Sequence, residues 1–360
     1  MEHTPAIHVI IPVFKVEKYI SQTLDSVLGQ PYPNIEIVCV DDGSPDDSIS
    51  ILREYEKRYH NIHVIRQKNA GVSAARNTGI EHDLQSGMDG YVTFLDADDL
   101  WAKNVLENLI KDMDGHPDCV GYKYVRCSED LTRMAPPPAL AEKLIPGGSK
   151  SLWAHFDYPF GAVLYSCRML QKYSIRFIEK LHYAEDSIFK FTCFYLADSI
   201  KLVDKVMYCY RINTSSAMHH RKYGIEYMPP IIRGYLYTAS FLSKYENIQR
   251  GSTQFCRIMA GLHTIEMVEE HFQKFRSTRK LKVFLRENTD VFEVLQQLNR
   301  NDLSDKHRQL YDLYFHSPGK FRIRCYLAGV RTTIRDILKK CKPVVIITNK
   351  KKFTLSNKYL

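Results

Sequence analysis

The chain has 360 residues, 44% apolar and 12% aromatic, enough for a full core in one large domain or two and too apolar for global disorder. Its nine cysteines form no Cys-x-x-Cys pair or metal-ligand spacing, and Cys39, Cys193 and Cys209 sit inside apolar segments as small hydrophobes, which points to a reducing compartment. The net charge of +9 is a property of the tail: Lys320 to Leu360 holds twelve Lys or Arg and one acid, Asp336, leaving −2 for the other 319 residues and arguing against a nucleic-acid binder.

The N-terminus lacks a basic leader region, and the apolar run ending at Pro12-Val13-Phe14 is too short for a signal peptide or a membrane span. No later segment reaches about 18 uninterrupted apolar residues. Ile7 to Val13 is the first predicted strand. Val16, Ile20, Leu24, Val27 and Leu28 then give the spacing of an amphipathic helix that stops near Gly29-Gln30-Pro31. Ile35 to Val40 is a second strand, ending in Asp41-Asp42-Gly43-Ser44. Ser44-Pro45-Asp46-Asp47 reads as a helix N-cap, with Ile49 to Tyr59 helical. Ile62 to Ile65 is a third strand, Gly71 to Ile80 a small-residue helix, and Tyr91 to Leu95 a fourth, buried strand entered through Gly90. Such alternation predicts a mostly parallel sheet covered by helices on both faces, with ligands at the carboxyl ends of its strands.

Pro136-Pro137-Pro138 and Pro146-Gly147-Gly148 bracket an expected surface loop. Regular structure resumes at Pro159 to Tyr165. Helices follow near Arg168 to Tyr173 and over Glu185 to Ala197, then a strand over Ile200 to Tyr210. From about Tyr223 to Tyr314 the pattern is helical. The expected domains are 1–220, divided at 130 into a nucleotide-sugar half and an acceptor half, then a helical extension over 221–316 and a basic amphipathic tail over 317–360.

The densest chemistry lies in Phe94-Leu95-Asp96-Ala97-Asp98-Asp99, where three carboxylates close an apolar strand. Carboxylates at a strand end must be solvated, paired or bound to a cation, and Mg²⁺ is usually held by one or two carboxylates plus substrate phosphate oxygens. The competing reading is a turn in which Asp98 or Asp99 caps a helix starting near Leu100.

Four segments together resemble the signature series of glycosyltransferase family 2: Val9-Ile10-Ile11-Pro12-Val13-Phe14, Val40-Asp41-Asp42-Gly43-Ser44, Asn69-Ala70-Gly71-Val72-Ser73-Ala74-Ala75-Arg76-Asn77, and Phe94 to Asp99. A looser likeness to the acceptor half of bacterial members continues through Arg176-Phe177, Tyr183-Ala184-Glu185-Asp186 and Tyr208-Cys209-Tyr210-Arg211 followed by Ser215-Ser216. The resemblance implies the α/β GT-A fold, a Rossmann-like, mostly parallel mixed sheet flanked by helices. It also implies inverting transfer of a hexosyl or N-acetylhexosaminyl unit from a UDP-sugar in bacterial capsule, lipopolysaccharide or exopolysaccharide synthesis. The donor would be held by Pro12, Val13, Asp41 or Asp42, Arg76, Asp96, Ala97 and Asp98. A divalent cation, Mn²⁺ or Mg²⁺, would sit on Asp98 with help from Asp96. Asp186 would be the catalytic base, with Glu185, Trp101 and Arg211 toward the acceptor. His219 or His220 would be a further candidate metal ligand.

Each role has a plainer rival. Asp42 can serve as a turn residue, Arg76 as the partner of a surface acid, Glu185 and Asp186 as the acidic first turn of a helix, and the two tryptophans, Trp101 and Trp153, as packing. In the tail, Ile323, Leu327, Val330, Ile334 and Ile337/Leu338 recur at helical spacing opposite a basic face. Residues 320–342 are therefore expected either to lie on an anionic membrane surface or to pack on the domain. The expected location is cytoplasmic, with peripheral association at the inner face of the cell membrane, and the acceptor a saccharide or a lipid-linked glycan. No nucleic acid is expected as a partner. The missing membrane helices and Gln-x-x-Arg-Trp motif disfavour a processive synthase, and no Gly-rich pyrophosphorylase loop supports a nucleotidyltransferase. A non-catalytic nucleotide-sugar-binding or scaffold protein is the alternative from another class.

Overall fold

A computed structural model describes residues 4–85, 89–104, 106–111, 116–135, 143–146, 159–181, 184–212 and 228–245, together with Ala260 and Asn288. In chain order the elements are β1 (Ile7–Val13), α1 (Ile20–Leu28), β2 (Ile35–Asp41), α2 (Ser48–Arg58), β3 (Ile62–Arg66), α3 (Val72–Gln85), β4 (Tyr91–Phe94) and β5 (Leu100–Trp101). Then come α4 (Leu106–Lys111), β6 (Cys119–Ser128), β7 (Lys143–Pro146), β8 (Val163–Ser166), α5 (Cys167–Lys172), α6 (Glu185–Leu196), β9 (Ser199–Ile212) and α7 (Met228–Ser243).

The nine strands form a single sheet in the order β3-β2-β1-β4-β8-β6-β9-β5, with β7 also paired to β9. The first four are parallel, in the register Ile7↔Ile35 and Ile7↔Tyr91. The second half is mixed. β8 is antiparallel to β4 and β6, β6 and β9 are parallel, and β5 and β7 run antiparallel to β9. This is the GT-A arrangement that the signature segments implied.

β1 is apolar along nearly its whole length because helices cover both faces. Val9, Ile11 and Val13 join Ile20, Leu24, Val27 and Leu52 in one core layer. On the opposite face Ile10 meets α3 at Gly79, where an added Cβ would lie 2.5 Å from Ile10 Cγ2. The close approach of this small-residue helix to the sheet is therefore at Gly79. Gly71 has open space around its missing Cβ, and its φ of +93° is what requires glycine there.

One competing reading and two expectations are overturned. Leu100 does not open a helix: Leu100–Trp101 pairs with Tyr208–Cys209 of β9, because a long partner strand offers ladder bonds that a short helix after Asp99 would forgo. Ser44 does not cap α2, which begins at Ser48. The Ser44 and Ser48 hydroxyls instead accept the backbone N–H groups of Lys15 and Val16, fastening the loop after β1. Within the segment read as a surface loop, Lys143–Pro146 is a strand on β9.

The chain divides into two compact units, with the boundary between Arg221 and Lys222. The described part of the second is chiefly α7. Its Arg233 donates to Asn288 Oδ1 at 3.1 Å. The rest of the expected helical extension and the whole basic tail lie outside the described residues, as do Trp153, His219 and His220. Among the described residues no helix is long and apolar enough to cross a membrane.

Candidate active site

The acidic cluster leaves the carboxyl end of β4 as a tight turn, closed by the Asp99 N–H on the Asp96 carbonyl at 2.9 Å. α1 holds this turn from below. The buried Thr23 hydroxyl is shared between the carbonyls of Ala97 at 2.8 Å and Asp99 at 2.9 Å. Ser26 Oγ accepts the Trp101 N–H, and Gln30 Nε2 donates to Ala102 O. Thr23 and Ser26 lie on α1 and Gln30 just beyond its C-cap Gly29, and this polar placement at 23, 26 and 30 beside the apolar Ile20, Leu24 and Val27 is the signal that sequence reasoning passed over.

The three acids are divided by burial. Asp96 and Asp98 are half-buried at the rim, whereas Asp99 is sealed beneath. Asp99 accepts the Tyr208 hydroxyl at 2.5 Å and the Arg211 N–H at 2.7 Å, which locks the turn onto β9. Burial, then the neighbouring charges of Asp98 and Asp96, push its carboxyl well above the usual range despite those two donors. Asp99 is thus a structural acid, and the two rim acids face the cleft.

Arg76 on α3 is the link across the site. Its guanidinium is 4% exposed. It donates to Asp96 Oδ1 at 2.9 Å and to Glu185 Oε1 at 3.3 Å, a partner 109 positions away. The rings of Phe160 and Phe177 flank it, with centroids at 4.8 and 5.3 Å. The expectation that Arg76 reaches the base or diphosphate is replaced by this inward geometry: its charge is met within the protein. Burial works to lower its pKa, but Asp96, Glu185 and Asp186 outweigh it and the value is raised. Glu185 is also raised, because burial and Asp186 outweigh the one cation it touches. Its side chain is 15% exposed. The neighbouring Asn77 grips the same segment, exchanging hydrogen bonds with the Phe177 backbone at 2.8 and 3.1 Å.

Glu185 and Asp186 open α6, where the helix dipole favours negative charge. The preceding Ala184 sits in the left-handed region at φ +61°, a conformation that costs a non-glycine residue about 1 kcal/mol or more and turns the chain sharply into the helix. Asp186 is half-buried, and its Oδ1 accepts the Ser187 N–H at 2.6 Å.

At the ends of β1 and β2, Val13 is buried and its carbonyl accepts the Asp42 N–H, while Pro12 is half-buried. Asp41 is fully buried, bonded to the Ser44 N–H and 3.3 Å from Arg66, so a base lying in the cleft does not reach its carboxylate. Asp42 accepts Gln67 Nε2 and the backbone N–H groups of Ala70 and Gly71, all at 2.8 Å. Of about four lone-pair directions on a carboxylate, one remains. Asp42 therefore shapes the Gly71 loop at the head of α3.

The acceptor-side expectation for Trp101 is corrected. Trp101 is 2% exposed within the core and cannot wall a sugar pocket. Arg211 is 3% exposed, so it lies beneath the surface of the cleft. Among the described residues no group of three or more His, Cys, Asp or Glu is arranged to hold a metal ion. The half-buried rim pair Asp96 and Asp98 is still the donor set that suits a hard cation sharing its coordination with phosphate oxygens.

A nine-stranded sheet with a parallel first half, an acid rim at the end of β4 and an acid pair opening α6 is the arrangement of the GT-A fold, and the first part of the chain is similar to glycosyltransferase family 2. The model of that family, glycosyl transferase family 2, matches residues 8–175. EpsJ of Bacillus subtilis, an uncharacterized glycosyltransferase, is 33% identical over 219 residues, 59% of this chain and 62% of EpsJ. The glycosyltransferase GlyA of Streptococcus pneumoniae is 50% identical over 105 residues, 29% of this chain and 14% of GlyA. The chain thus spans less than two thirds of these curated relatives. The fold is that of S. aureus TarS residues 1–349, solved with UDP, at a TM-score of 0.63 and 20% identity over 92% of each chain.

Proposed function

We propose that this protein transfers one hexosyl or N-acetylhexosaminyl unit, with inversion, from a UDP-sugar to a hydroxyl of a saccharide or glycolipid acceptor in the assembly of a cell-surface polysaccharide. The observation that carries the reading is the Arg76 bridge. It holds the acid rim after β4 and the acid pair of α6 at one place, so that a leaving group and an accepting base can flank a single sugar carbon. Support for the donor comes from TarS, whose structures hold UDP and UDP-GlcNAc. Support for the pathway comes from relatives named for teichoic and teichuronic acid synthesis.

In this reading the acceptor oxygen attacks the anomeric carbon from the face opposite the diphosphate. Its proton passes to the Asp186 carboxylate, the new C–O bond forms, and the bond to the phosphate oxygen breaks with its electron pair leaving on UDP. Pro12, Asp42 and the Gly71 loop form the floor under the nucleotide, and Asp96 is oriented by Arg76. A divalent cation, Mn²⁺ or Mg²⁺, suits Asp98 and Asp96, and would neutralise charge on the departing diphosphate as a Lewis acid.

The test is release of UDP from a panel of UDP-sugars with Mn²⁺, alongside calorimetry with UDP. Release with at least one donor is expected. UDP binding without release from any donor, with or without added glycans, would favour a scaffold that only holds the nucleotide-sugar.

A further inference from the structure

Beside the acid rim, the carboxyl ends of β6 and β9 frame an open cleft of about 1010 Å³, lined among others by Arg126, Glu129, Asp130, Arg133, Met134 and Ile212. It is joined to the described site on two sides. Tyr19, at the start of α1, donates to Glu129 Oε1 at 2.6 Å, and Asp99 of the acidic turn holds the Arg211 N–H.

The charges in this cleft are unevenly satisfied. Its acids are already engaged: Glu129 takes the Tyr19 hydroxyl, and Asp130 Oδ1 accepts the Ser128 and Thr132 hydroxyls at 2.6 and 2.9 Å and the Thr132 N–H. Those bonds hold the Asp130 carboxyl down at about 2. The cations are different. Arg126 and Arg133 are exposed, and among the described residues neither makes an ion pair. Among the described residues the Arg126 side chain meets the Tyr124 ring, at 6.0 Å. Behind them the buried Arg211 guanidinium meets neutral partners, Gln22 Oε1 at 2.7 Å, the Glu129 carbonyl at 3.3 Å and the Tyr19 ring at 5.0 Å. Its Nε is buried with no partner. A buried guanidinium with no carboxylate on it is costly unless an anion comes within reach.

We infer that this cleft is an acceptor subsite for an anionic glycan, in which Arg126 and Arg133 grip a phosphate or carboxylate group of the acceptor chain and Arg211 supplies a fixed positive field from below. The inference rests on the transferase reading only for the word acceptor; the anion site stands on the cleft itself. Partly buried Met134 and exposed Ile212, the latter 42% exposed, offer apolar contact to sugar rings, and planar guanidinium forks suit phosphate and carboxylate alike. The charged body outside the tail is close to neutral, so the attraction is local.

The experiment measures binding to the full chain by calorimetry, using tri-galacturonate, a glycerol-phosphate trimer and neutral maltotriose as probes, with UDP in parallel. One or both anionic probes are expected to bind, more weakly as salt rises, with maltotriose at least about tenfold weaker. The double variant Arg126→Gln/Arg133→Gln should lose about tenfold or more in affinity for the anionic probe while UDP affinity holds. Preference for one anionic probe over the other identifies the acceptor's charge as carboxylate or phosphate. The inference is overturned if neither anionic probe binds, if maltotriose binds as well as they do, or if the double variant weakens UDP instead, which would make the cleft part of the donor site. Failure of the UDP-release test with the anionic probe still bound would remove the transferase reading and leave this one standing.

Discussion

The two halves of the first compact unit are built by different rules. The first half, β1 to β4, is four parallel strands joined by helices: β1–β2 and β2–β3 pair across a single helix, and only β1–β4, Ile7↔Tyr91, closes over a long span. The second half is mixed, and its central partnership joins β6 to β9 across some 80 positions, with a register shift near Lys123. In the proposed reading the first half is a platform for the nucleotide, and the second supplies the base. They are fastened through a few long-range polar contacts: Arg76 to Glu185, Asn77 to Phe177, and Asp99 to Tyr208 and Arg211. Chemistry is therefore expected to be more sensitive to these fasteners than nucleotide binding is.

The sharpest separation should come from Asp186→Asn. A general base contributes ~10²–10⁴-fold, so turnover should fall by that order while UDP affinity, measured by calorimetry, changes little. Retained turnover would take Asp186 out of the base role. Next comes Arg76→Met, which strands Asp96 and Glu185. Breaking a buried pair costs ~3–5 kcal/mol, and because the Asp96 side chain is 44% exposed the lower end applies, about 3 kcal/mol by urea unfolding. Arg76→Lys keeps the charge but cannot reach both acids as a fork. It should keep UDP affinity and lose turnover, whereas a direct diphosphate contact would show as weaker UDP binding.

Two variants probe the platform. Gly79→Ala drives a methyl against Ile10 across the α3–β1 contact and should cost about 1–3 kcal/mol, readable as a lowered unfolding midpoint. Thr23→Val removes the hydroxyl that serves the Ala97 and Asp99 carbonyls and should cost about 1–2 kcal/mol, with cation-dependent UDP binding weakened because the acid turn loosens. An unchanged response in the second would show that β9 alone holds the turn.

The smallest effect is a pH dependence. The Asp99 carboxyl is raised in the folded protein, so the native state holds a proton that the unfolded chain has already lost. Its contribution to stability is full below the ordinary carboxylate range and is lost as pH rises from there through the raised value. Asp99→Asn, which can still accept the Arg211 N–H, should flatten that decline in urea titrations at several pH values.

What could be read from the chain follows the same division. Ile7–Val13, Ile35–Asp41, Ile62–Arg66 and Tyr91–Phe94 stand within a residue or so of their predicted bounds, because apolar runs, turn residues and helical spacing are local signals. The short β5, the strand β7 inside a proline-flanked segment and the whole of β6 carry no comparable local signal, and β5 and β7 owe their extended form to the edges of β9. Among site residues, the acid cluster and the Glu185-Asp186 pair were legible as motifs. That Trp101 is core, Asp41 sealed and Arg76 turned inward was not, since side-chain burial depends on which distant rings and carboxylates arrive.

The order of residues by itself determined the kind of sheet, the end of it that carries the acids and the family it resembles, because periodicity and signature spacing are written along the chain. Only the tertiary structure decided which acids face the cleft and which arginines meet carboxylates. Desolvation and pairing are set by neighbours about a hundred positions away, and an electrostatic role changes sign of usefulness according to whether a charge is met inside the protein or left for a ligand.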